Sequence, residues 1–142
     1  MAVRVRVRIR AGGEREVITT ALVNTGFETE RPQLLIPLNL ARALSLWPPP
    51  DNAYLVELGT AGGPIREYVV PNSVQVAVIT DDRETRDITC DAVISHIEEE
   101  VIINDKLCEE LGIVILAAGS GKWRFVDDDI NKVRPSEAPQ YW

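Results

Sequence analysis

Asn24, Thr25 and Gly26 follow directly on the apolar run Ala21-Leu22-Val23, so a buried strand ends in a carboxamide, a hydroxyl and a backbone without a Cβ. An amide donates and accepts hydrogen bonds, but it cannot take a proton from water near neutral pH. The triplet alone is also ordinary turn chemistry. Other candidates fail on spacing. Gly119-Ser120-Gly121-Lys122 hints at a phosphate loop, yet the required upstream glycine position holds Leu116, and Trp123 follows the lysine. Ser95 and His96 are sequence neighbours, which makes no catalytic dyad. Cys90 and Cys108 come without a CxxC pair or a histidine cluster, and Asp127, Asp128 and Asp129 lack the spaced ligands of a calcium loop. Neither metal nor cofactor is expected.

The elements that must position the triplet are legible from periodicity. Val3 to Arg10 alternates valine or isoleucine with arginine, which predicts a strand with one buried and one charged face. Gly12-Gly13 offers positive-φ positions for a reversal, and a second strand from Glu14 delivers Asn24. Leu34-Leu35-Ile36 predicts a short strand, and Leu38, Leu40, Ala41, Leu44 and Leu46 behind Pro37 a short helix. Tyr54 to Leu58 and Ile65 to Val70 flank Gly59-Thr60-Ala61-Gly62-Gly63-Pro64, the pattern of a long hairpin with a flexible tip. Val74 to Val78 and Ile88 to Ile94 predict two further strands around a charged turn at 81–87. Glu98, Glu99 and Glu100 read as a solvated loop. Val101-Ile102-Ile103 predicts a buried strand, Asn104 or Asp105 a helix cap, and Gly112 a helix end. Two strands, Ile113 to Leu116 and Lys122 to Val126, precede an acidic, proline-containing tail. Ile36, Leu40, Leu44 and Leu46 match Ile103, Leu107, Leu111 and Ile113 at one constant offset, a weak internal echo.

With 142 residues, 45% hydrophobic and 26% charged, the chain is expected to fold as one ordinary globular domain. A net charge of −7 disfavours nucleic acid or anionic membrane as a partner, and the arginines at 4, 6, 8 and 10 read as a solvated outer face. The longest apolar run, Ile113 to Ala118, is too short to span a bilayer. Two unpatterned cysteines and no signal-like N-terminus suggest a reducing, cytoplasmic setting.

Together these segments resemble the retroviral-type (retropepsin-like) aspartic proteases. Ala21-Leu22-Val23-Asn24-Thr25-Gly26-Phe27 is similar to that family's apolar-apolar-Asp-Thr-Gly segment, with Asn24 at the position of the catalytic aspartate. Val101 to Ile113 resembles the second signature, with Asn104 where that signature has glycine. The Leu-rich helix, the glycine-tipped hairpin and the internal echo fall in the matching order. The resemblance implies a mainly β fold, a closed acid-protease barrel with one or two short helices, over residues 1–126. Residues 127–142 form a tail with a possible place at a dimer interface.

It further implies a homodimer, because one motif per chain supplies one half of a two-carboxyl site. Thr25 locks the two motif loops together, and Gly26 allows close backbone approach. The hairpin tip, Gly59, Thr60, Ala61, Gly62 and Gly63, folds over an extended peptide substrate. The activity implied is an aspartic endopeptidase, silenced here by Asn24. Either Asn24 is an engineered knock-out or the protein is a natural pseudoprotease; the intact surroundings favour the first. The alternative is a non-catalytic peptide-binding or dimerisation module of the same fold.

Overall fold

The computed structural model describes residues 2–142. Strand β1 (Arg4–Ala11) pairs antiparallel with β2 (Arg15–Val23), Arg4 opposite Leu22 and Ala11 opposite Arg15. The three-residue loop between them moves the left-handed positions one residue along from the expected glycine pair, to Gly13 (φ 76°) and Glu14 (φ 66°). Alternation does what the sequence predicts, since Val5, Val7 and Ile9 are completely buried. The outer arginines are not merely solvated. Arg4 binds Glu100 at 2.6 Å, Arg8 binds Glu84 at 3.0 Å, and Arg10 holds Glu16 at 2.9 Å and Asp87 at 2.8 Å. Acids from three other segments thus pair three of the four arginines, and Arg6 is exposed with no ion pair among the described residues.

The remaining elements are β3 (Gln33–Pro37), α1 (Leu38–Ala43), β4 (Tyr54–Thr60), β5 (Gly63–Val78), β6 (Ile88–Ser95), β7 (Val101–Ile103), α2 (Asp105–Glu110), β8 (Ile113–Ala117), β9 (Lys122–Phe125) and β10 (Arg134–Pro135). The main sheet runs β1-β2-β7-β3-β6-β5, and β5 pairs back onto β1, Val7 opposite Val78, to close a six-stranded barrel. Strand β4 stands outside the closure, paired only with β5. The molecule is therefore mainly β, a closed barrel with two short helices. Closure leaves the barrel itself without an open edge.

Two strands expected from the sequence, Ile65 to Val70 and Val74 to Val78, are one long strand. The ladder of β5 with β6 shifts register between Val70 and Val74, where Asn72 takes φ 49° and Ser73 caps the Val70 carbonyl at 2.8 Å. Pro71 removes a ladder donor there, so the strand bulges and bends without ending. Helix α1 ends at Ala43, before the last leucines, because Ser45 is left-handed at φ 57°.

Strands of the first half interleave with those of the second. β2 runs parallel to β7 with Val23 opposite Ile103, and β3 runs parallel to β6 with Ile36 opposite Ile94. β3 and β7 are antiparallel neighbours between these pairs, and each leads into a helix. The internal echo thus marks two equivalent passages, and all eight of its apolar residues lie in one buried cluster. Burying a branched aliphatic side chain contributes about 1.5–3 kcal/mol, so this repeated helix-strand packing is a major part of the core.

The small sheet β8-β9-β10 closes over the barrel through Ile113, Trp123 and Phe125. Arg134, 6% exposed, binds Asp82 and Asp128 and lies over the Trp123 and Phe125 rings. The tail then returns to the start of the chain. The Glu137 amide donates to the Arg4 carbonyl at 2.9 Å, and the Trp142 indole donates to Thr19 Oγ1 at 3.1 Å. Among the described residues no helix is long and apolar enough to cross a membrane.

Candidate functional site

Strand β2 ends at Val23, and the Asn24 amide donates to the Ile103 carbonyl at 3.0 Å, tying the turn to β7. The Gly26 amide donates to Asn24 Oδ1 at 3.0 Å and the Phe27 amide to the Asn24 carbonyl at 3.1 Å. The turn is thus closed by the Asn24 side chain. A Cβ on Gly26 would sit 3.2 Å from Asn24 Oδ1, so glycine permits this close approach. Asn24, Thr25 and Gly26 are all exposed on the single chain.

Behind this turn lies a buried polar network. Asn104, completely buried, accepts from the Gln33 amide (3.0 Å) and the Leu107 amide (2.9 Å) through Oδ1 and donates to Thr29 Oγ1 (2.7 Å) and the Arg31 carbonyl (2.9 Å) through Nδ2. It is the N-cap of α2, as one of the two sequence candidates. Its backbone is extended, φ −80° and ψ 179°, a conformation that needs no glycine. The Asp105 amide donates a further bond to the Phe27 carbonyl at 3.1 Å. The segment from Asn24 to Gln33 is therefore held at both ends by the β7-α2 junction.

Asp91 of β6, also completely buried, extends the network. It accepts from Arg31 Nε at 2.9 Å, the Asn72 amide at 2.9 Å and Gln33 Nε2 at 3.2 Å. Burial alone would push its pKa up, but the hydrogen bonds from Arg31, Asn72 and Gln33 outweigh it and hold the carboxyl below its ordinary value. Asp91 therefore joins the loop below the turn to the β5 bulge.

The hairpin β4-β5 covers a second, outer apolar layer formed by Leu35, Val69, Val93 and Ile102, with Leu22, Phe27, Val56 and Leu58 packed against it. The Asn24 turn and the hairpin tip meet over this layer. Asn24, Gly26, Phe27, Glu28, Leu35, Leu58, Gly59, Thr60, Ala61, Ile65, Glu98 and Ile102 line one open cleft of about 580 Å³. Of the expected tip residues, Gly59, Thr60 and Ala61 reach the cleft, and Gly62 and Gly63 fall outside its lining. Gly63 is left-handed at φ 112°, and the Thr60 hydroxyl donates across the tip to its carbonyl. Thr25 also lies outside the lining, on the exposed side of the turn.

Sequence reading passed over three acids here. Glu28 and Glu98 line the cleft, so the loop expected to be solvated at Glu98 also faces the site. Glu67, turned to the same side of β5 as Ile65, is 2% exposed and its Oε2 has no hydrogen-bond partner. Burial pushes its pKa up, and His96, through its charge and its backbone amide, opposes the shift. Trp47 sets its ring edge against both His96 and Tyr68, at 5.0 and 5.9 Å. The period-two pattern of β5 could have flagged Glu67, a carboxylate on a face otherwise apolar from Ile65 to Val69. Among the described residues no group of histidine, cysteine and acidic side chains could hold a metal ion. The two thiols are inert, with burial pushing Cys90 up to about 12 and Cys108 up to about 11.

In comparison with known proteins, the chain matches no family model and no curated sequence.

Proposed function

We propose that this chain is one subunit of a retropepsin-like aspartic peptidase, a dimer whose two Asn24 turns face each other across a two-fold axis. In its present form it binds extended peptide without cutting it. One observation carries the reading: the Asn24 turn and the tip of a two-stranded hairpin, far apart in sequence, line the same cleft above an apolar floor. The exposure of Asn24, Thr25 and Gly26 supports the dimer, since a polar turn left open on one chain is available to a second copy. The interleaved barrel with its two parallel strand pairs supports the fold assignment.

The chemistry of an aspartic peptidase needs two carboxyls sharing one proton, one activating water and the other protonating the scissile carbonyl. At Asn24, Oδ1 accepts the Gly26 amide, and an aspartate here would keep that bond and leave its second oxygen free. Two such oxygens brought together cannot both ionise easily. With asparagine the pair is neutral at every working pH. Hydrolysis stops while the cleft is unaltered, which equally fits a peptide-binding module.

Asn24→Asp is therefore expected to cleave peptides with a bell-shaped acidic pH profile, while the Asn24 protein binds the same transition-state mimics more weakly and cuts nothing. Assay of both proteins on a mixed peptide library, with sedimentation to establish the dimer, tests this. A folded, dimeric Asn24→Asp variant that leaves every peptide intact removes the enzyme and leaves the module. A protein that remains monomeric at high concentration removes the paired site.

A further inference from the structure

We propose that the cleft selects extended peptides that place a lysine or arginine beside an apolar residue, with Glu28 and Glu98 receiving the cation. The inference rests on the peptide-cleft reading above and adds a substrate class to it.

The lining has a consistent chemistry. Its floor and walls are Leu35, Ile102, Phe27, Leu58 and Ile65, its charged side chains are Glu28 and Glu98, and no lysine, arginine or histidine contributes to it. Elsewhere the barrel's arginines sit against acids: Arg4 on Glu100, Arg8 on Glu84, Arg31 on Asp91 and Arg134 on Asp128. Glu28 and Glu98 are in no ion pair among the described residues, so their charge is directed at whatever enters. A carboxylate beside a low-dielectric wall attracts a cation more strongly than one in open water.

A second observation points the same way. Glu67, nearly inaccessible and on the hairpin face that carries Ile65, keeps one oxygen without a donor. A buried acceptor left unpaired is costly, and a guanidinium or ammonium brought under the hairpin is the kind of donor that would satisfy it. His96 is the one titratable group acting on Glu67, and it is not among the residues that line the cleft. Apolar contacts and the Glu28 and Glu98 carboxylates thus share the cleft lining, with the Glu67 acceptor buried beneath the hairpin on the face that carries Ile65.

The test uses the protein as it stands, with Asn24, and fluorescein-labelled octapeptides of one apolar sequence carrying arginine, glutamine or glutamate at a single position. Fluorescence anisotropy at low salt is expected to show the arginine peptide binding roughly three- to tenfold tighter than the glutamine one, the scale of two partly exposed ion pairs. The glutamate peptide should be weakest. The preference should shrink at high salt and shrink again in the exposed double variant Glu28→Gln/Glu98→Gln, whose fold does not depend on either carboxylate. Equal binding of all three peptides, or a preference undiminished in the double variant, overturns the charge selection and leaves the peptide cleft standing. If none of the three binds at saturating concentration, the peptide-cleft reading falls with it.

Discussion

Asn104 is the residue on which the turn most depends. Its four hydrogen bonds join the cap of α2, the β3 entry and the loop through Thr29 and Arg31; the two to the Gln33 and Leu107 amides are fully buried and the two to Thr29 and Arg31 part-buried. Asn104→Ala leaves buried amides and a carbonyl without partners, at about 1–3 kcal/mol for an unsatisfied group, so a loss of roughly 2–4 kcal/mol is expected. Urea unfolding monitored by tryptophan fluorescence measures it; a midpoint unchanged from the parent would mean that the network is not holding the turn. Asn104→Gly should be at least as costly, because the backbone there is extended and gains nothing from glycine. The sequence identified Asn104 as a possible cap and as a departure from a glycine position. It could not show that one side chain would serve three segments, since Thr29, Arg31 and Gln33 come together with it only through the parallel and antiparallel pairing of β3 and β7. Asp91 was illegible for the same reason: nothing local distinguishes a buried aspartate in Thr89-Cys90-Asp91-Ala92 from an exposed one.

Among elements, the hairpin combines a glycine-rich tip with a buried acid. Its tip has two adjacent glycines and one left-handed residue, and its base buries the Glu67 carboxyl against an apolar layer. Because the folded pKa of Glu67 is raised, the native state holds that proton more tightly than the unfolded chain does. Stability is therefore highest below the ordinary glutamate pKa and declines as pH rises through the window up to the raised value. Glu67→Gln should remove the decline, leaving the variant more stable than the parent at pH 7 by about 1 kcal/mol, the scale of an unsatisfied buried acceptor, and equal to it at low pH. Thermal melts across that range check the sign, and hydrogen exchange of β4 amides should slow at pH 7 in the variant. A Glu67→Gln protein less stable than the parent at neutral pH would reverse the reading. The strands themselves were largely legible, because alternation in β1 and apolar runs in β3, β6 and β7 are strong local signals. The fusion of two expected strands into β5 was not, since Pro71-Asn72 reads as a terminator unless a partner strand bridges the bulge.

For the molecule as a whole, the closing interactions are ionic at one end and interleaved throughout. Arg134 pulls the Asp128 carboxyl, 8% exposed, down to about 2, and holds Asp82 well below the usual carboxylate range. A depressed folded pKa contributes stability that is complete above the ordinary aspartate value and is lost as pH falls toward about 2. The melting temperature should drop over that interval in the parent and drop less in Asp128→Asn, which starts from a lower value at pH 7; calorimetry at fixed ionic strength reads both. Identical acid profiles for the two proteins would take Asp128 out of the account. The pairing of β2 with β7, β3 with β6 and β1 with β5 has a different consequence. A break at the exposed turn near Asp82 would leave an N-terminal piece with β7 and β6 missing and a C-terminal piece with only β6 and β7 of the barrel. Neither piece can close a sheet, yet together they hold every strand. The two fragments are therefore expected to be unfolded alone and to reconstitute the barrel when mixed, with circular dichroism of the mixture exceeding the sum of its parts. Such a barrel could serve as a split reporter, signalling the meeting of whatever two proteins its halves are fused to.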